Sequence, residues 1–200
     1  MKQFCIKSLL AGVFIGLACL VYLNVGGVAG ACLFAFGLLG VVVYGLNLYT
    51  GKAGLVDSWR AVALLFGVIL PLNIVGCYVA SHLAGAEARE MARHIVDVRL
   101  GNGPLRNLFL SMPCGVIMYT AVRFAKQGQM LPLLFGVPLF ILCGFPHCIA
   151  DTTYYFAAGA LNGDVMVDWL SCVAGNFAGC NLMRVVRDEK EKQGSGGGLR

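Results

Sequence analysis

The richest chemistry in this 200-residue chain lies in Gly144-Phe145-Pro146-His147-Cys148-Ile149-Ala150-Asp151. The stretch closes an apolar run, residues 130–145, that holds no charge. An ionisable side chain at membrane depth is costly and tends to mark a substrate pathway or a proton relay. Histidine suits that task because it exchanges protons near neutral pH. Gly144 and Pro146 break helices, and non-helical backbone inside a bilayer is tolerated where it lines a cavity or is covered by protein. His147 therefore has two readings: a pore-facing group at an interruption in a transmembrane helix, or a packed core histidine bonded to a carbonyl. Asp151, four residues on, either pairs with the imidazole and modulates it or faces an aqueous loop. A Cys-His enzyme is a poor alternative, because side chains adjacent in sequence diverge and a nucleophile needs its base within reach. The chain also lacks Gly-x-Ser-x-Gly, His-Glu-x-x-His and a Walker loop. It reads as a non-enzyme.

The elements that must position His147 are membrane helices. The chain is 58% hydrophobic and 12% charged, with a mean hydropathy of +0.78. Soluble domains carry about 25% charged residues. The net charge of +5 is spread over connections and tails and is no nucleic-acid signal. Nine cysteines form no Cys-x-x-Cys pair, so neither a metal site nor a disulfide framework is expected, and no cofactor. Six apolar runs stand out: 8–25, 28–46, 61–80, 107–122, 130–150 and 165–183. A helix needs roughly 20 residues to cross a hydrocarbon core of about 30 Å. With the N-terminus inside, the inner segments carry Lys2, Lys7, Lys52, Arg60, Arg123, Lys126, Arg184, Arg187, Lys190 and Lys192. The outer ones carry Arg89, Arg93, Arg99 and Arg106. The bias of Lys and Arg toward the inner loops places both termini in the cytoplasm. Residues 84–99, rich in Ala, Glu and Arg, predict a short interfacial helix. Its Arg89 and Arg93 share a face that is either solvated among headgroups or a cationic vestibule for anions.

Asn73-x-x-Gly76-Cys77 in the third run matches Asn176-x-x-Gly179-Cys180 in the sixth. The second and fifth runs both lead into glycine-containing breaks, 45–51 and 144–151. Three helices per copy force the second copy to be inverted. Inverted repeats with interrupted helices in matching places point to a transport site near the midplane. The expected fold is an all-α membrane protein of six transmembrane helices, built as two inverted three-helix repeats (about 8–83 and 105–187) with helices 2 and 5 interrupted. One channel domain spans 1–187, and 188–200 is a cytoplasmic tail that looks like a linker.

At these motifs the chain resembles the formate/nitrite transporter family. The family's Glu-Leu-Phe-Thr-Gly-Asn corresponds to Asn47-Leu48-Tyr49-Thr50-Gly51-Lys52, and its Gly-Phe-Glu-His-Ser-Ile-Ala-Asn to residues 144–151. Its Cys-Asn-x-x-Val corresponds to Arg106-Asn107-Leu108-Phe109-Leu110, and Gly-Asn-x-x-Gly is intact at Gly175-Asn176-Phe177-Ala178-Gly179. The opening residues 8–17 also look like the family's first helix. The resemblance implies an aquaporin-like homopentamer in the inner (plasma) membrane with one pore per subunit. It implies that small monovalent anions such as formate, nitrite or hydrosulfide, or their conjugate acids, pass together with protons.

Residue by residue, the resemblance puts Phe34, Leu38 and Phe140 at an outer apolar constriction. It puts Leu48, Tyr49 and Leu110 at an inner one and Thr50 with His147 between them. It makes Asn107 and Asn176 the asparagines that support the breaks. Pro146, Asp151 and Asn47 depart from the family pattern, and no lysine aligns with the family's vestibule lysine, for which Arg89 or Arg93 is the substitute. The departures leave open a hydrosulfide or neutral-solute channel, and a non-conducting protein that keeps the fold.

Overall fold

The computed structural model describes residues 1–183, and these are helical apart from short connections. Helix is what an apolar chain must form in lipid, where each backbone N–H and C=O needs a partner within the segment. The chain begins with α1 (Lys2–Val25) and α2 (Gly27–Val43), followed by the short α3 (Tyr49–Ala53). Next, α4 (Trp59–Leu64) passes through a π turn (Leu65–Ile69) into α5 (Leu70–Ser81). The π turn precedes Pro71, which lacks an N–H and crowds the preceding turn. The second half contains α6 (Ala86–Asn102), α7 (Pro104–Lys126), α8 (Leu131–Leu142), α9 (Cys148–Ala158) and α10 (Gly163–Leu182).

Among the described residues, three stretches are long and apolar enough to cross a membrane: Lys2–Val25, Trp59–Ser81 and Pro104–Lys126. Gly27–Val43 and Leu131–Leu142 are shorter apolar helices. The apolar runs read from the sequence fall on α1, α2, α4 with α5, α7, α8 and α10. The run 130–150 is not one helix, because α8 stops at Leu142 and α9 starts at Cys148. The polar stretch expected over 84–99 is α6, which extends to Asn102. The tail and the cations Arg184, Arg187, Lys190 and Lys192 lie outside the described residues.

α1 packs along α5, and α7 along α10. These pairs approach closely enough that only glycine fits at the crossings. A Cβ on Gly12 would run into the carbonyl of Asn73, and one on Gly115 into the carbonyl of Asn176. Small residues at such crossings let helix backbones touch where lipid supplies no hydrophobic drive.

The interruptions after α2 and α8 are built alike. Gly45 (φ 58) and Gly144 (φ 68) take left-handed backbone. The next N–H then reaches back into the helix, from Leu46 to Val41 O at 2.8 Å and from Phe145 to Phe140 O at 2.9 Å. This closes a helix by capping its orphan carbonyls. Beyond each turn, three residues are non-helical before α3 and α9 begin.

One asparagine holds each break. Asn73 accepts from Tyr49 N–H at 2.9 Å and donates to Asn47 O at 3.0 Å and Ser8 O at 2.7 Å. Asn176 accepts from Cys148 N–H at 2.8 Å and donates to Pro146 O at 3.0 Å and Ser111 O at 2.8 Å. A thiol pair repeats the pattern. Cys77 donates to Gly12 O and Ile149 O, and Cys180 to Gly115 O and Thr50 O. Each thiol thus ties its own half to the short helix of the other.

Removing either asparagine side chain strands two buried non-helical backbone groups, Tyr49 N–H and Asn47 O or Cys148 N–H and Pro146 O, each worth about 1–3 kcal/mol when unsatisfied. Asn73→Ala and Asn176→Ala are therefore expected to lower the thermal midpoint in detergent by comparable, large amounts. Circular dichroism melts check this, and one silent substitution would show that its break is held by something else.

Candidate functional site

His147 and Thr50 meet between the two breaks. Thr50 is the second residue of α3, and His147 is the residue immediately before α9. Their Oγ1 and Nε2 lie 2.9 Å apart, and both side chains are buried. His147 also caps α9: its Nδ1 accepts the N–H of Ala150 at 3.1 Å. That bond fixes the tautomer, because a nitrogen that accepts carries no proton. The ring proton is then on Nε2, which donates to Thr50 Oγ1 and leaves the threonine hydroxyl hydrogen to point elsewhere. His147 is thus neither of the bare alternatives drawn from the sequence. It is buried and bonded to backbone, and its second nitrogen faces the partner from the other half.

An aromatic side chain lies against the pair. Phe140 stacks on the imidazole at 5.6 Å between ring centroids and meets Phe34 edge-on at 6.1 Å. Phe34, Leu38 and Phe140 are all buried. Leu48 is buried too, immediately before α3. Tyr49 is engaged elsewhere: its hydroxyl donates to Val173 O at 3.2 Å and its ring meets Phe66, which packs α3 against its neighbours. Leu110 is half-buried on α7.

Three assignments differ from the sequence reading. The asparagine that pairs structurally with Asn176 is Asn73. Asn107 holds no break: it donates to Arg99 O and to Asp168 Oδ1, both at 2.6 Å, and so fastens the end of α6 to α10. Tyr155 donates to the other oxygen of Asp168 at 2.8 Å. Secondly, Asp151 neither meets the imidazole nor faces an aqueous loop. It is 1% exposed, and its Oδ1 takes the guanidinium of Arg99 at 3.4 Å. Thirdly, the arginine that lines the cavity beside His147 is Arg99, whose place on the buried face the sequence reading did not single out. Ala88, Ala92, Val96 and Arg99 form the buried face of α6, while Arg89 and Arg93 are exposed. One residue's step rotates a helical side chain by about 100°, which turns 89 and 93 off the face that holds 88 and 92. Arg99 also donates to Gly144 O at 2.8 Å, which secures the turn before His147.

A cavity of about 340 Å³ opens here, lined by α6 residues including His94 and Arg99, by Phe140, and by His147 and Asp151. It leads from the α6 side to the imidazole. Lys52 on α3 belongs to the other half and has Lys7 and Lys126 as electrostatic neighbours.

The family model for formate/nitrite transporters matches residues 1–187. The chain belongs to the formate/nitrite transporter family. Among solved structures it is similar to a pentameric formate channel with formate bound, at 20% identity and a TM-score of 0.77, over 92% of this chain and 94% of that one. It is also similar to an ion channel of the same family at 16% identity and a TM-score of 0.72, over 92% and 88%. No curated protein matched. This formate/nitrite transporter family member is accordingly a multi-pass membrane protein, and its relatives are channels and transporters, not enzymes.

Breaking a buried ion pair from one side costs about 3–5 kcal/mol, whereas an exposed charge away from special contacts stays within about 0.5 kcal/mol. Arg99→Ala is therefore expected to destabilise the protein severely, while Arg93→Ala leaves it unchanged and Arg89→Ala, which gives up the bond from Nε to Ala84 O at 3.0 Å, costs about 1 kcal/mol. Thermal midpoints of the three variants in detergent give the comparison.

Proposed function

We propose that the chain forms a channel for small monovalent anions of the formate/nitrite type, which cross the narrow zone as their conjugate acids. The observation that carries this is the buried His147–Thr50 contact, with Phe140 stacked on the imidazole and Phe34 against Phe140; under this proposal Phe34, Leu38 and Phe140 form the outer constriction and Leu48 the inner one. In this reading the two halves are inverted three-helix repeats with an aquaporin-like path, and five subunits assemble as in the pentameric formate channel. Both termini are cytoplasmic, and the protein sits in the inner membrane. The matching asparagine and thiol bonds support the repeat.

The energetics favour the neutral form. A charged side chain at the bilayer centre costs about 2.5–3.5 kcal/mol on insertion scales and more in simulations. Neutralising an acid of pKa near 4 at pH 7 costs about 4 kcal/mol. The costs are comparable in a wet site, and a dry constriction makes the bare ion the worse case. At the centre, the permeant receives a hydrogen bond from Thr50, whose hydroxyl is oriented by the Nε2–H of His147. A ring donating from Nδ1 would first have to release Ala150, so the proton travels with the permeant. The N-termini of α3 and α9 add backbone N–H groups that favour negative charge. Lys7, Lys52 and Lys126 collect anions at the inner mouth.

Flux in proteoliposomes tests this with formate, nitrite, lactate and hydrosulfide at pH 5.5 and 7.5. Selective uptake that rises at the lower pH and drops at least tenfold in His147→Phe and Thr50→Val is expected. Wild-type flux in His147→Phe would overturn the role of the ring. Flux of hydrosulfide alone would favour the hydrosulfide reading. Absence of flux for all four, with an intact oligomer, would favour a non-conducting protein that keeps the fold.

A further inference from the structure

The carboxylate of Asp151 is only half used. Oδ1 takes both guanidinium contacts from Arg99, whereas the buried Oδ2 receives no hydrogen bond. Buried polar atoms are satisfied with few exceptions, and an exception asks for an explanation. Asp151 lines the 340 Å³ cavity together with Arg99 and His147. The charged or titratable groups around it are His94 and Arg99 on α6, Tyr22 and Cys19 on α1, Cys114 on α7, Asp168 and Cys172 on α10, and His147, Cys148, Tyr154 and Tyr155 on its own segment.

We infer that Oδ2 of Asp151 and the guanidinium of Arg99 form a recognition site for a small monobasic acid that carries its own proton. The acid's carbonyl oxygen accepts from Arg99, and its O–H donates to Oδ2. This deepens, and rests on, the reading of the chain as a channel for small acids. The paired charges of Arg99 and Asp151 cancel, so the site offers a bare anion little net attraction. An anion also brings a second acceptor to an oxygen that can only accept. The neutral acid satisfies both ends. Moving one proton along the O–H···O bond turns acid plus aspartate into anion plus aspartic acid, so each permeant enters with one proton in either description. A cation alone, such as ammonium, satisfies Oδ2 but meets the guanidinium as a like charge.

Asp151→Asn replaces the acceptor at Oδ2 by an N–H donor without changing shape, and leaves Arg99 uncompensated. Both changes favour the anion. At fixed total formate, the neutral fraction rises about 100-fold from pH 7.5 to 5.5 for an acid of pKa near 4. Wild-type flux, corrected for empty liposomes, is expected to follow that rise, and the ratio in Asp151→Asn to shrink to under about tenfold. A second measurement uses the wild type alone. Nitrate has the anion's charge but stays ionised throughout this range, and it is expected not to slow formate uptake at pH 5.5 when present at equal concentration. An unchanged pH ratio in Asp151→Asn, or inhibition by nitrate, overturns the inference while the channel reading stands. If the wild type conducts no small acid at all, the channel reading fails and the inference fails with it.

Discussion

Two interruptions in the middle of a membrane fold expose backbone groups that lipid cannot satisfy, and each is rescued by the side chain of one asparagine. Everything else in the site depends on this. An unpaired N–H or C=O at that depth costs several kcal/mol, so the breaks exist only because Asn73 and Asn176 reach them. With the breaks held, Thr50 and His147 are delivered to each other from opposite halves of the chain. The glycine crossings of α1 with α5 and of α7 with α10 serve the same end, since they bring the asparagine-bearing helices close enough for a short side chain to bridge. The bonds run to the backbone of residues 47 and 146 and make no demand on their side chains.

The sequence made the helices, the breaks and His147 legible because each has a local cause, whereas Thr50 as its partner, 97 residues away, came from the family resemblance. Apolar run length reports a span, Gly144 and Pro146 report an interruption, and the recurrence of Asn-x-x-Gly-Cys reports two related halves. What it hid were partners brought in from far along the chain. Asp151 is 52 residues from Arg99 in sequence, and no spacing rule links them. Arg99 was counted among the outer loop cations, yet its register with Ala88, Ala92 and Val96 places it on the inward face. Residues three and four apart share a face, so that signal was present. Asn107 was assigned to a break by its place in a motif, whereas its bonds run to α6 and α10. A motif fixes where a residue lies in a family pattern, and only geometry shows which backbone group it serves.

Position 151 also couples two parts of the site. An aspartate at position 151 brings a charge into a buried position, and the helix across from it supplies the matching guanidinium. The same arginine holds the carbonyl of Gly144, so charge compensation and the turn that presents His147 share one side chain.

The hydrogen bond from Ala150 to the imidazole has a bearing on the membrane's energy supply. A chain of water molecules relays protons by accepting on one side and donating on the other, and a histidine in the chain takes part only if one nitrogen has a free lone pair. In this ring one nitrogen's lone pair is occupied by a backbone N–H and the other nitrogen carries the proton. A water file that reaches the ring therefore finds a terminus. At this ring, the bond from Ala150 closes one route by which a water file could short-circuit a transmembrane proton gradient.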